Sequence, residues 1–307
     1  MKHRLRVIPV PGNGAEDVLV DESGLVWTGT EDGSIFRIRP DGNRIDRVAH
    51  TGSRPLGLEL LPDGRLLVAD AHRGLLAVER DGGRVEQLVE VAGGRRLVFC
   101  NNAAVAANGD IWFTDSSAHY SIERWKDDFV QHTQSGRLLC RRADGSVEVH
   151  LEGLAFANGV ALAADESWVA VAETGRRTVV RLWLAGERAG QQDLLCADLP
   201  GYPDNLALGS DGLVWVTIAS PRDPLLEWLR LQAPLALRKA VTRLPERLQP
   251  EPQRTARVQA YDAAGTLVED IDAVATHYHM VTGVREHHGA VWFGSLVEPA
   301  VAVVSDR

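Results

Sequence analysis

At 307 residues, with 45% hydrophobic and 24% charged side chains, the chain has the make-up of a globular protein, which excludes a disordered polymer and a membrane-buried bundle. Its formal net charge of -9 repels nucleic-acid phosphates and anionic lipid, so a cation or a neutral small molecule is the expected partner. Cys100, Cys140 and Cys196 have no metal-type spacing and read as buried small hydrophobes. The apolar run near Met1 is too short for a signal segment and no stretch approaches a membrane span, so the expected setting is cytoplasmic.

Residues 4-10 form a short strand whose partner is not local. Four further strands follow, over 17-20, 25-30, 34-39 and 44-50, with Asp-Gly or Ser-Gly turns at Gly24, Gly33 and Gly42. Short apolar runs punctuated in this way make tight antiparallel hairpins, and four of them in roughly forty residues make one propeller blade. The same pattern returns around Gly64, Gly109, Glu166, Gly212 and Gly289, giving six copies. The last copy has three strands, so the strand at 4-10 is expected to complete it and remove an open sheet edge. The expected fold is therefore an all-β, six-bladed β-propeller of four-stranded antiparallel blades, a single domain over 1-307. Trp27, Trp112, Trp215 and Trp292 recur on second strands and belong to the blade core.

Two copies are expanded after the second strand, at 116-135 and at about 220-254. The second expansion, in blade 5, carries apolar residues at helical spacing over 225-232 and 235-244, interrupted at Pro234, Pro245 and Pro250. Both loops emerge on the face where the first strands begin, so they are expected to crown one pocket. Alternatively, the 220-254 segment packs against a second subunit or another surface.

The glycine turns also act as a ruler. Eight residues before Gly212 lies Asp204, and the same offset from Gly24, Gly64, Gly109 and Gly289 reaches Glu16, Leu56, Asn101 and Val281. Aligning Glu166 with those glycines adds Asn158. Innermost strands of a closed ring begin near its axis, so these positions converge. Glu16, Asn101, Asn158 and Asp204 then offer two carboxylates and two amides, hard oxygen donors that match one Ca²⁺ in the central channel. Asp and Asn at strand starts also cap local backbone N–H groups, and capping alone would produce the same column.

Phe113-Thr-Asp-Ser-Ser117, Gly136-Arg-Leu-Leu139, the run Leu154 to Leu162, Ala172-Glu-Thr174 and Leu199-Pro-Gly-Tyr-Pro-Asp204-Asn205 together resemble the strictosidine-synthase-like branch of the six-bladed propellers. Its wider superfamily includes gluconolactonases of the senescence-marker-protein type, paraoxonases and diisopropyl-fluorophosphatase-type hydrolases. The resemblance implies a channel Ca²⁺ held by residues matching Glu16, Asn101, Asn158 and Asp204. Asn102 departs from it, standing where many relatives carry Asp. Strictosidine synthase proper lacks the metal set and condenses an amine with an aldehyde, so retention of the set here points to hydrolysis.

The expected activity is a Ca²⁺-dependent hydrolase acting on a small-molecule lactone or ester, with phosphotriesters as a further class. Asp204 is the candidate base or nucleophile, and His119 is a second candidate for acid–base chemistry. Tyr120, Arg222 and His279 are candidate substrate contacts. The alternatives are a strictosidine-type condensing enzyme and a non-catalytic binding module with a structural ion.

Overall fold

Short runs, most of four to eight residues, pair into six four-stranded antiparallel sheets, five in chain order and the sixth with the N-terminal strand added beside the last strand. The computed structural model describes residues 4-245, 249, 252-273 and 277-305. The sheets form a ring, a six-bladed β-propeller, whose innermost strands are Leu19–Val20, Pro55–Leu60, Cys100–Val105, Ala157–Leu162, Gly201–Leu208 and Val281–His287. As the open edge required, Arg6–Pro9 pairs with Ala300–Val304 in the register Arg6↔Val303 to Pro9↔Ala300. One small ribbon that the sequence reading did not anticipate, Val91–Ala92 with Arg95–Arg96, joins blades 2 and 3.

The core lies between adjacent blades. Trp215 of blade 5, for example, packs with Val284 and Phe293 of blade 6. All four recurring tryptophans are buried, and burying a large apolar side chain stabilises by roughly 1.5–3 kcal/mol.

A shared irregularity in the inner strands positions the site. Pairing with the second strand skips two residues in five blades: Leu56 and Gly57, Asn101 and Asn102, Asn158 and Gly159, Asp204 and Asn205, Thr282 and Gly283. A bulge of this kind turns side chains out of the regular alternation. It also draws neighbouring blades close together: a Cβ on Gly159 would lie 2.0 Å from the Leu206 nitrogen, and one on Gly57 2.7 Å from the Asn102 Cα.

The bulges correct one position of the ruler. In blade 6 the equivalent residue is Thr282, whereas Val281 pairs with Ser295 and is buried in the core. The hairpin there has only two connecting residues, His288 and Gly289, both with positive φ. Blades 2, 3 and 5 have longer connections at this point, so an offset of eight overshoots by one in blade 6. In blade 4, Glu166 adopts φ 55°, the left-handed conformation that glycine takes in the other turns.

Both expansions carry helices. The second holds α2 (Pro224–Leu231) and α3 (Leu235–Thr242), as its periodicity predicted, and Asp223 caps α2 through the Leu225 and Leu226 N–H groups. Pro250 lies outside the described residues. The first contains α1 (Trp125–Gln131), a seven-residue helix too short for its periodicity to mark it in the sequence.

Candidate functional site

Glu16, Asn101 and Asn158 are almost fully buried, while Asp204 keeps part of its surface open to a cavity that all four residues line. Glu16 Oε1 accepts from Asn205 Nδ2 at 3.2 Å, but buried Oε2 has no partner. Asn101 Nδ2 donates to Ser116 Oγ at 3.0 Å. Asn158 Nδ2 donates to Thr174 Oγ1 at 3.3 Å. Because the Thr174 hydroxyl gives its own proton to the Pro203 carbonyl (2.7 Å), it must accept at Asn158, which fixes that amide with its nitrogen toward Thr174. The oxygens Asn101 Oδ1 and Asn158 Oδ1 are left buried without partners, as is Asn205 Oδ1.

Leaving buried acceptors unpaired costs free energy that a folded protein rarely forgoes without reason. Several such oxygens beside two carboxylates make a hard, acceptor-rich donor set that fits a calcium ion. Burial pushes the Glu16 carboxyl well above its ordinary range, and neighbouring Asp204 and Asp17 push it further, against Arg54 and Asn205. Burial likewise pushes Asp204 up to about 8, with the Asn158 amide pulling the other way. Two carboxylates crowded in this way lack a positive charge between them. Among the described residues no group of three or more His, Cys, Asp or Glu side chains is placed to hold a metal ion by itself, so a thiolate- or imidazole-bound metal has no comparable donor set.

Above this floor the cavity encloses about 1080 Å³, its open mouth included. Its walls come from the blades through Leu56, Phe99, Phe156, Tyr202 and Met280, and from the expansions through Trp125, Phe129, Leu226 and Val241. Both expansions therefore crown the face that carries the column. Arg230 fastens them together: it is fully buried and its guanidinium donates to the Phe129 carbonyl (3.0 Å), the Gly175 carbonyl (2.6 Å) and Glu227 (2.7 Å). The same group lies 4.0 Å from the Phe129 ring centroid. Beside it, burial and the Arg230 charge lower the His132 imidazole to about 4, so it is neutral at pH 7.

The remaining expected residues lie apart from this floor. His119 is exposed, and its backbone N–H donates to Ser117 Oγ. Tyr120 is half-buried and donates to Gln131 Oε1 at 2.9 Å. Arg222 is exposed, with its backbone N–H on the Pro200 carbonyl. His279 is held between Glu298 and Arg254. None of these four is among the residues lining the cavity. Ser116, Thr174 and Asn205, which orient the column, were not among the expected site residues; their one signal was that each lies within a motif that carries the resemblance. Asn102, the departure from Asp, still uses its Oδ1 to accept the Val160 N–H of the next blade (3.0 Å).

The model of the SMP-30/gluconolactonase/LRE-like region matches residues 15-223. STRICTOSIDINE SYNTHASE-LIKE 6 of Arabidopsis thaliana is 32% identical over 302 residues, covering 93% of this chain and 78% of the relative. The adipocyte plasma membrane-associated protein of Gallus gallus is 30% identical, covering 92% and 73% respectively. Among solved structures, a gluconolactonase from Xanthomonas campestris superposes with a TM-score of 0.72 at 16% identity, covering 99% of this chain and 89% of that one. The calcium-binding protein regucalcin from Agrobacterium tumefaciens gives 0.68 at 13% identity, covering 99% and 96%.

Proposed function

Because this chain belongs to the SMP-30/gluconolactonase/LRE-like family, we propose that it is a Ca²⁺-dependent hydrolase acting on a lactone or ester, with phosphotriesters as a secondary class. The observation that carries the reading is the set of unpartnered buried oxygens on Glu16, Asn101 and Asn158 at the floor of the cavity, beside Asp204. A bound calcium would act there as a Lewis acid toward a carbonyl or phosphoryl oxygen. Ser116 and Thr174 hold the two amides with their oxygens free, and Asn205 holds Glu16. Asp204 is the column carboxylate with surface open to the cavity, and we assign it the task of taking a proton from the attacking water. The apolar walls restrict bulk water around the reacting group.

The test compares metal-stripped and Ca²⁺-restored protein on lactones, aryl esters and phosphotriesters, alongside Asp204→Ala and Asn158→Ala. Hydrolysis that requires Ca²⁺ and fails in both variants supports the proposal; full activity and full calcium binding in both variants would remove it. The strictosidine-synthase-like relatives favour a second reading, a condensing enzyme. That reading expects turnover of an amine and an aldehyde that survives EDTA.

A further inference from the structure

We infer that the ligand of this cavity carries a sizeable apolar portion, an alkyl or aryl group next to its reacting carbonyl, rather than the hydroxyls of a sugar lactone. The identity of the reacting group rests on the hydrolase reading above; the apolar portion rests on the cavity wall alone.

The wall is an edge-to-face chain of rings. Phe99 and Phe156 lie 5.5 Å apart at 85°, Phe156 and Phe129 6.5 Å apart at 88°, and Phe129 and Tyr202 5.0 Å apart at 88°. Leu226 of α2 and Val241 of α3 pack into the same cluster. Four polar groups of the wall are already engaged with the protein. The Tyr202 hydroxyl donates to Glu227 (3.0 Å), the Thr174 hydroxyl to the Pro203 carbonyl (2.7 Å), Ser220 Oγ accepts from the Gln253 N–H (3.1 Å), and Asp223 caps α2. A polyol entering here would give up hydrogen bonds to water for contacts with ring edges and methyl groups. Each hydroxyl so stranded weakens binding by roughly 10-fold, whereas each methylene buried against the wall strengthens it by roughly 4-fold. Lys126, Thr242, Gln249 and Gln253 also line the cavity, but the acceptors of the donor set gather at its floor, so a ligand with a polar head at the floor and an apolar body against the rings matches it.

The experiment uses the full chain loaded with Ca²⁺ and two matched series. Equilibrium binding is measured by calorimetry with methyl ketones of increasing chain length, which present a carbonyl but no hydrolysable bond. Turnover is measured with γ-lactones of increasing alkyl length and with glucono-δ-lactone. The expected result is a fall in Kd of roughly 4-fold per methylene over the first few carbons, a parallel rise in kcat/KM, and glucono-δ-lactone as the poorest substrate. Leu226→Asn and Val241→Asn should each flatten the chain-length slope while calcium affinity stays unchanged. A steep ketone slope with no turnover of any lactone upholds the apolar ligand and defeats the hydrolase reading. A flat ketone series, a preference for glucono-δ-lactone, or a slope that survives both substitutions overturns the inference.

Discussion

Two adjacent rings of positions surround the channel, one residue apart in the chain, and in blades 1, 3 and 5 both carry polar side chains. Asp17 and Asn102 have found backbone partners. Asp17 Oδ1 accepts the Val18 N–H (2.8 Å) and Oδ2 the Leu58 N–H of the next blade (2.9 Å), as Asn102 Oδ1 accepts from Val160. Glu16 and Asn101, the residues just before them, each keep a buried oxygen with no partner. Strand-start capping explains the first ring, where the side chain completes the backbone of the neighbouring blade. It does not explain the second, whose oxygens are held free by hydroxyl and amide groups behind them. Asn205 belongs by position to the capping ring, but its amide nitrogen serves Glu16 and its oxygen is unpaired. It thus links the two rings.

This contrast predicts opposite phenotypes. The largest effect is expected in the inner ring: Asp204→Ala should lower kcat/KM for a lactone or ester by roughly 100-fold or more and weaken calcium binding, while the calcium-free protein stays folded. Glu16→Gln should weaken calcium binding too, yet raise the melting temperature of the calcium-free protein, because it removes a buried charge held near another carboxylate. In the outer ring, Asp17→Ala strands the Val18 and Leu58 N–H groups and should cost roughly 1–3 kcal/mol of stability in chemical denaturation. Calcium affinity per folded molecule should change little. If Asp17→Ala abolished calcium binding without loss of stability, the division between the rings would fail.

How far the sequence led can be read from particular residues. Asp-Gly punctuation revealed the blades because glycine at positive φ is nearly obligatory in such turns, and Glu166 was identifiable only through alignment with them. Closure by residues 4-10 followed from an unpaired edge. The slip at Val281 came from a two-residue hairpin, whose length no composition signal marks. What stayed hidden was tertiary. Ser116, Thr174 and Asn205 are ordinary residues until folding sets them behind the column, and α1 is too short for its periodicity to stand out. Likewise, Arg230 reads as one more charge on an amphipathic helix, but it is the buried tie between both expansions and blade 4.

The subtlest expected difference between the rings is in their proton linkage. Burial raises Asp204 to about 8 and Asp17 to about 6 in the absence of a cation, against ordinary aspartate values near 3.8. Between about 4 and about 8, the folded calcium-free protein therefore holds a proton on Asp204 that the unfolded chain has released. The folded state binds more protons over that window, so this group's contribution to stability falls as pH rises and levels off above about 8. Asp17 acts in the same direction from about 4 to about 6, a narrower window because Arg285 and its backbone donors pull against its burial. Calcium requires the deprotonated carboxylate, so its binding should release protons below pH 8, and its affinity should climb with pH toward that value. Scanning calorimetry from pH 5 to 8.5 in EDTA should show Asp204→Asn flattening the decline above pH 6, with added Ca²⁺ restoring the wild type most strongly at the alkaline end. Calorimetric titration of Ca²⁺ in two buffers of different ionisation enthalpy reads the released protons directly. Equal heats in both buffers at pH 7 would mean that Asp204 is already ionised, and the link between its burial and the ion would be lost.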